Sequence, residues 1–421
     1  MLEESLFQHL IAENYTPQSL GKIKEVLAAY HSHRIIPVAH GLFAASSSQA
    51  PDALSGYQNV WVRDNVMVAN SFRLRGQLDP ATACVQGLTR FFETQLSRFC
   101  QIIEDPTHQV KENPQRRPHI RFLAESLAES PEKWPHAQND ALGEALWLRF
   151  VLANTGALPL TSIDASVYGI LPSYFEAIEY WHDRDSGAWE ERRKINNSSI
   201  GAVVAGLEEL LCYLDNSQAP FPLRMSRDQL QLLITKGRKR LDDTLPFESP
   251  PERMVDAAVL FLVHPLDVVR SRATEDAILN VVQARLRGAV GIKRYANDSY
   301  FCQDYDEWFP PGEMTSDFSE RVDFRDAHLQ PNCEAQWCLF DPQLSVIYGQ
   351  RYLADRSDQN SFRKQVRYFN RSLAQITATG QCPELYYQKN GAYVPNAHTP
   401  LAWTQANQAL ALHFMEQSLG D

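Results

Sequence analysis

Two adjacent carboxylates, Glu190 and Glu191, follow Trp189 directly in the stretch G-A-W-E-E-R-R-K-I-N-N-S-S-I-G of residues 187–201. A carboxyl group held against an indole, partly out of water and beside a second carboxylate, has its pKa raised. That is how a general acid is made. In the polar run behind the pair, Asn197, Ser198 or Ser199 is a candidate N-cap. Ile200, Val203, Val204, Leu207, Leu210 and Leu211 then form one apolar face at helical spacing. The carboxylates therefore lie on a loop feeding a buried helix, where a rigid scaffold can hold a reactive side chain. Taken alone, the same two residues are ordinary solvated loop charges. Their company decides.

Four further loop segments carry polar and aromatic residues of the kind that bind sugars. Asn59–Asn65 sets Trp61 beside Arg63 and Asp64 ahead of a helix. An Arg–Asp pair clamps hydroxyl groups while an indole covers an apolar sugar face. The plain alternative is a helix-start aspartate with a surface arginine. Pro118–Phe122 and Trp134–Asp140 combine an indole with His136, amides and a carboxylate; His119 and His136 equally fit satisfied structural histidines, with Asn139 or Asp140 an N-cap. Gly291–Tyr295 and Asn297–Tyr300 place Arg294 and Asp298 among aromatics. Cys382–Tyr387, ahead of Thr399–Trp403, puts Glu384 on a loop before the final helix, with Pro400 near its first position.

Glu190 and Glu384 are remote in sequence, so only a fold that closes on itself brings them together. Glycoside hydrolysis with inversion needs two carboxyl groups about 6.5–9.5 Å apart, an acid and a base that holds water, whereas retention needs about 5–5.5 Å.

Helical periodicity dominates the elements that must position these loops. Helices are expected over residues 16–33, 61–74, 80–103, 137–153, 163–181, 199–214, 226–241, 251–261, 266–286, 334–354, 361–378 and 400–417, with few strands. Ser226 and Gln229 read as a capping box. About a dozen helices fit a solenoid, an irregular bundle or a closed double ring of helix pairs. Chemically loaded loops between helices favour the ring, whose loops converge at one end. No composition shift marks a linker, so residues 1–421 read as one domain.

The 421 residues carry a net charge of −11, which argues against nucleic acid or an anionic membrane surface as partner. No apolar run is long enough to span a bilayer. The N-terminus, Met1-Leu-Glu-Glu, lacks the marks of a signal peptide. Seven scattered cysteines without a C-x-x-C pair read as reduced thiols, and a cytoplasmic location is expected. No zinc spacing, Walker loop or G-x-G-x-x-G appears, so no metal or other cofactor is expected. The oligomeric state is left open.

In order and in kind, the five segments resemble glycoside hydrolase family 15, the glucoamylases, and their relatives the phosphorylase kinase α and β regulatory subunits. The resemblance runs from Gly41-Leu-Phe-Ala-Ala-Ser to Trp403. It implies an all-α (α/α)6 barrel that releases β-D-glucose from α-glucans by inversion. Trp-Glu-Glu would carry the general acid on Glu190 and a substrate contact on Glu191. Glu384-Leu-Tyr-Tyr, followed by Leu401-Ala-Trp-Thr404, resembles the segment of the general base, with leucine where glutamine is usual. Trp-x-Arg-Asp places Arg63 and Asp64 on the non-reducing glucose, and Arg-Tyr-x-x-Asp places Arg294 and Asp298 in the same role.

Together these readings lead to an inverting, exo-acting hydrolase of malto- or isomalto-oligosaccharides. Glu190 and Glu384 would be catalytic, and Trp61, Arg63, Asp64, Trp134, Trp189, Glu191, Arg294, Asp298 and Trp403 would bind substrate. The alternative is a non-catalytic carbohydrate-binding or regulatory module like the kinase subunits. Residues 303–333, acidic and aromatic, interrupt the usual approach from Asp298 to the next helix. They form either a lid that narrows the pocket to small glucosides or a surface excursion.

Overall fold

Residues 139–150 read N-D-A-L-G-E-A-L-W-L-R-F, and every one of them is buried. A helix covered on all faces must lie inside a second layer. The computed structural model describes residues 7–48, 56–107, 113–217 and 221–420, and in it such helices form an inner ring.

In chain order the first elements are α1 (Pro17–Ala29), β1 (Val60–Trp61), α2 (Val62–Leu74), α3 (Leu78–Thr94), α4 (Leu96–Glu104), β2 (Arg121–Phe122) and α5 (Asn139–Asn154). Then come α6 (Ser162–Tyr168), α7 (Leu171–Ala177), α8 (Asn197–Asn216), α9 (Arg227–Thr244), α10 (Leu260–Val263) and α11 (Arg272–Arg285). The remainder are α12 (Tyr305–Trp308), α13 (Val322–Asp326), β3 (Gln336–Trp337), α14 (Phe340–Ala354), α15 (Gln359–Ala374), β4 (Leu385–Lys389), β5 (Ala392–Pro395) and α16 (Ala402–Leu419).

Helices α2, α5, α8, α10, α14 and α16 are the inner ring. α2 packs on α5, α5 on α8, α8 on α10, α14 on α16, and α16 back on α2. Phe261 stacks on Phe340, joining α10 to α14. Around them lie α1, α3 with α4, α6 with α7, α9, α11 and α15, whose polar faces look outward. This is an (α/α)6 barrel.

Several expected elements change in detail. The expected helix over 80–103 is two, broken at Gln95. The expected helix over 251–261 starts instead as a turn closed by the Ser249–Arg253 bridge; Asp256 then pairs with Tyr295, and its carboxylate caps a short 3-10 turn at Ala257–Val259. None of Asn197, Ser198 and Ser199 is the N-cap of α8. That position is Asn196, and Glu248 from a distant loop accepts from the Ser198 backbone N–H at 3.0 Å. The expected capping box at Ser226 and Gln229 is present. A three-stranded sheet, β3-β4-β5, was not expected.

Two glycines let α5 and α8 approach closely. A Cβ on Gly143 would lie 2.5 Å from the Ala202 carbonyl carbon and the Val203 nitrogen, both backbone atoms. Gly143→Ala is therefore expected to cost about 1–3 kcal/mol by overpacking. Urea unfolding would show this as a lower midpoint at unchanged slope. An unchanged midpoint would contradict the tight α5–α8 contact.

Candidate active site

Loops leading into the inner helices, with the first turns of α2 and α16, line one hollow. Asp64 and Asp140 sit in the first turns of α2 and α5, and Asp341 in that of α14. Helix N-termini favour such anions. The hollow is walled by Trp61, Trp134, Trp189, Trp337 and Trp403, and Glu190 and Glu384 both open onto it from opposite parts of the chain.

The loop bearing Glu190 is pinned at its base. Asp185 and Lys194 exchange two backbone hydrogen bonds at 2.9 Å. The Asp185 carboxylate accepts from the Asn139 N–H and the Asn196 amide at 2.9 and 2.7 Å. At the tip, Glu190 takes the left-handed conformation, φ 59° and ψ 38°. A non-glycine residue held there costs about 1–2 kcal/mol, and such strain gathers at functional sites.

The two adjacent glutamates meet opposite surroundings. Burial raises the Glu190 pKa, while Arg63, 3.6 Å from its Oε1, and the Trp134 indole moderate the rise. Burial alone would also raise Glu191. Its carboxylate, however, receives Arg325 at 2.5 Å, Arg253 at 2.9 Å, Arg294 at 3.1 Å and the Tyr295 hydroxyl at 2.6 Å. These hold it well below the usual carboxylate range. One glutamate keeps a proton more readily than usual, and its neighbour is locked as an anion.

Elsewhere on the hollow's wall, Glu384 immediately precedes β4, and its carbonyl accepts from the Cys338 N–H at 2.9 Å. Burial pushes its pKa up to about 7, against hydrogen bonds from Tyr57 and Asn396. The Tyr57 hydroxyl donates to Glu384 Oε1 at 2.7 Å, and the ring stacks on His398 at 3.7 Å. Since that hydroxyl proton is committed to Glu384, the Tyr300 hydroxyl, 3.2 Å away, is the donor to Tyr57.

Arg63 does not pair with Asp64. Its Nε donates to Asp140 at 2.6 Å, its Nη2 reaches both Gln138 and the Gly187 carbonyl, and its Nη1 faces Glu190. Asp64 is left facing the hollow, and burial pushes its pKa up to about 7. Glu191 and Asp298 do not reach the wall of the hollow. Asp298 holds Arg294 through two hydrogen bonds at 2.6 and 2.7 Å, so both carboxylates stand behind Arg294 and present it. The Trp189 indole is fixed by Asp256 at 2.8 Å. His119 and His136 lie away from the hollow with ring centroids 3.6 Å apart and planes tilted by 41°, as structural histidines.

Sequence reasoning missed Tyr57, Asn396, Trp337 and Arg325. Asn396 had a local signal: Asn390-Gly391, both at positive φ, turns β4 into β5 and so delivers it. Residues 303–333 are ordered against the site, and Thr315, Ser316, Asp317, Phe318 and Arg325 form part of its wall.

A ring of helix pairs around a tryptophan-walled hollow onto which Glu190 and Glu384 both open defines the class, a glycoside hydrolase built on an (α/α)6 barrel. The sequence model of glycosyl hydrolases family 15 matches residues 28–300, and the chain belongs to that family. Glu384 lies beyond the matched residues. No curated protein matches the chain in sequence. Among solved structures it is similar to a wild-type glycosidase, with 17% identity over 97% of this chain and 99% of the other and a TM-score of 0.69. A variant glycosidase in complex with glucose matches with 17% identity over 97% and 100%, TM-score 0.68. The glucoamylase of Saccharomycopsis fibuligera matches with 13% identity over 99% and 98%, TM-score 0.60.

The charge cluster has a consequence for stability. Because the folded pKa of Glu191 is depressed, its contribution is fully present above the unfolded value of about 4.3 and is lost as pH falls through the folded value. Glu191→Gln removes the carboxylate shared by Arg253, Arg294 and Arg325. Arg294 keeps Asp298 and Arg253 keeps Asp256, but Arg325 is left with Asp298 at 3.9 Å. At pH 7 we expect a loss of about 3–5 kcal/mol. Denaturant unfolding across a pH series would show this gap narrowing in acid. A variant as stable as wild type at pH 7 would contradict it.

Proposed function

We propose that the protein is an inverting, exo-acting α-glucoside hydrolase that releases glucose from malto- or isomalto-oligosaccharides, with residues 1–421 forming one catalytic domain. The observation that carries this is the position of Glu190 and Glu384 on one hollow, the first partly and the second fully buried, and each differently supported. Glu190 is the general acid that protonates the glycosidic oxygen. Glu384, ionised and held by Tyr57 and Asn396, is the base that deprotonates water on the opposite sugar face.

Arg63, Asp64 and Arg294 take the hydroxyls of the glucose unit, and Trp61, Trp134, Trp189 and Trp403 cover its faces. Glu191 and Asp298 act through Arg294. Glucose bound to a structural neighbour is in keeping with this substrate. No helix of the described residues is long and apolar enough to cross a membrane. All seven cysteines are unpaired, which fits a reducing compartment such as the cytoplasm.

The test is glucose release from maltose, isomaltose and trehalose by wild type, Glu190→Gln and Glu384→Gln. Each substitution is expected to lower kcat by about a hundred- to ten-thousandfold, with the folded structure retained by circular dichroism. Turnover at the wild-type rate in either variant would remove that residue from its role. Sugar binding by wild type without release from any α-glucoside would favour a non-catalytic glucan-binding module instead.

A further inference from the structure

In a chain whose net charge is −11, the neck of the loop that carries Glu190 is rich in cations. Arg184 stands on one side of the neck and Arg192, Arg193 and Lys194 on the other, joined by the two backbone hydrogen bonds between Asp185 and Lys194. Arg184 also donates to the Arg193 carbonyl at 3.1 Å. Arg184, Arg192 and Arg193 together line a cavity that shares no residue with the hollow. Among the described residues the one carboxylate on its wall is Glu320, which Lys133 already holds at 2.6 Å.

The imbalance is sharpest at Arg193. It is half-buried, and its guanidinium has no hydrogen-bond or ion-pair partner among the described residues. Burial, and after it the positive charge of Arg117, lowers its pKa. Asp183 lies in its surroundings but is committed elsewhere, to Arg117 at 2.5 and 2.8 Å and to the Asn139 amide at 2.8 Å. A cation held partly out of water without a counter-ion is costly until an anion reaches it. Arg184 and Arg192 do have partners, Glu252 and Asp323, each at 2.7 Å. Both pairs are exposed, and exposed pairs contribute little, so either guanidinium can turn to a better anion at small cost.

We infer that this cavity binds a phosphate group, with Arg193 as its anchor and Arg184 and Arg192 reaching the same anion from the two sides of the neck. The fork of a guanidinium matches phosphate oxygens two at a time, and a doubly charged tetrahedral anion can be shared by several such forks. Inorganic phosphate and a phosphate monoester of a sugar both offer that chemistry. Arg192 and Arg193 directly follow Glu190 and Glu191, so an anion here grips the base of the loop that presents the proposed acid. The site goes beyond the hydrolase reading and does not depend on it.

The experiment is calorimetric titration of the full chain with inorganic phosphate and with glucose 6-phosphate, each against sodium chloride at equal ionic strength. Wild type is expected to bind at least one of them with a millimolar or tighter Kd. Arg193→Gln and Arg184→Gln, each checked for folding by circular dichroism, are expected to bind at least about tenfold more weakly, the effect of losing a charged, forked contact. Tighter binding of glucose 6-phosphate would identify the monoester as the ligand, and equal or tighter binding of inorganic phosphate the free ion. Excess maltose, added to Glu190→Gln, is expected to leave the phosphate affinity in place. Loss of binding under maltose would put the anion in the hollow and overturn the inference. So would heats no larger than the chloride control with either probe, or equal affinity in Arg193→Gln. No arm reads glucose release, so a failure of the hydrolase reading leaves this result untouched.

Discussion

Three guanidinium groups and one tyrosine hydroxyl converge on the single carboxylate of Glu191, and the rest of the site depends on that convergence. Arg253 comes from the segment before α10, Arg294 and Tyr295 from the segment after α11, and Arg325 from α13. The cluster ties three loops to the one that bears Glu190. Buried ion pairs stabilise little over apolar packing, but they punish any arrangement that leaves one member unpaired. Here that cost fixes loop geometry at the mouth of a barrel whose helices are already packed.

The same contact explains how two neighbouring glutamates come to do different things. The left-handed backbone at Glu190 turns its side chain into the hollow while Glu191 goes to the arginines. One carboxyl is desolvated with a weakly placed cation, the other is over-neutralised. Glu384 has two neutral donors and only the weaker influence of Arg294, and burial brings its pKa up to about 7. Pairs of titratable groups driven apart by their surroundings are what acid–base chemistry at one sugar requires.

Much of this was legible in the residues. The all-round burial of the inner helices is written in their apolar runs, and Trp189-Glu190-Glu191, Trp61-x-Arg63-Asp64 and Arg294-Tyr295-x-x-Asp298 pointed to the loops that meet. What was not legible depends on partners far along the chain. Leu385–Lys389 is short and pairs with Gln336–Trp337, so its alternation carried no signal until the barrel closed. The stretch 251–261 looked helical by its apolar residues, yet Asp256 spends its carboxylate on the Ala258 N–H and the Trp189 indole. The roles of Glu191 and Asp298 as supports for Arg294 need the direction of a side chain, which sequence spacing does not supply.

The account stands on an acid and a base acting from opposite faces of one sugar, and the stereochemistry of the first product reports that arrangement directly. Proton NMR of glucose as it is released from maltose or isomaltose, read before mutarotation, is expected to show the β anomer. The α anomer appearing first would mean net retention, with a carboxylate attacking the anomeric carbon instead of activating a water, and would contradict the account.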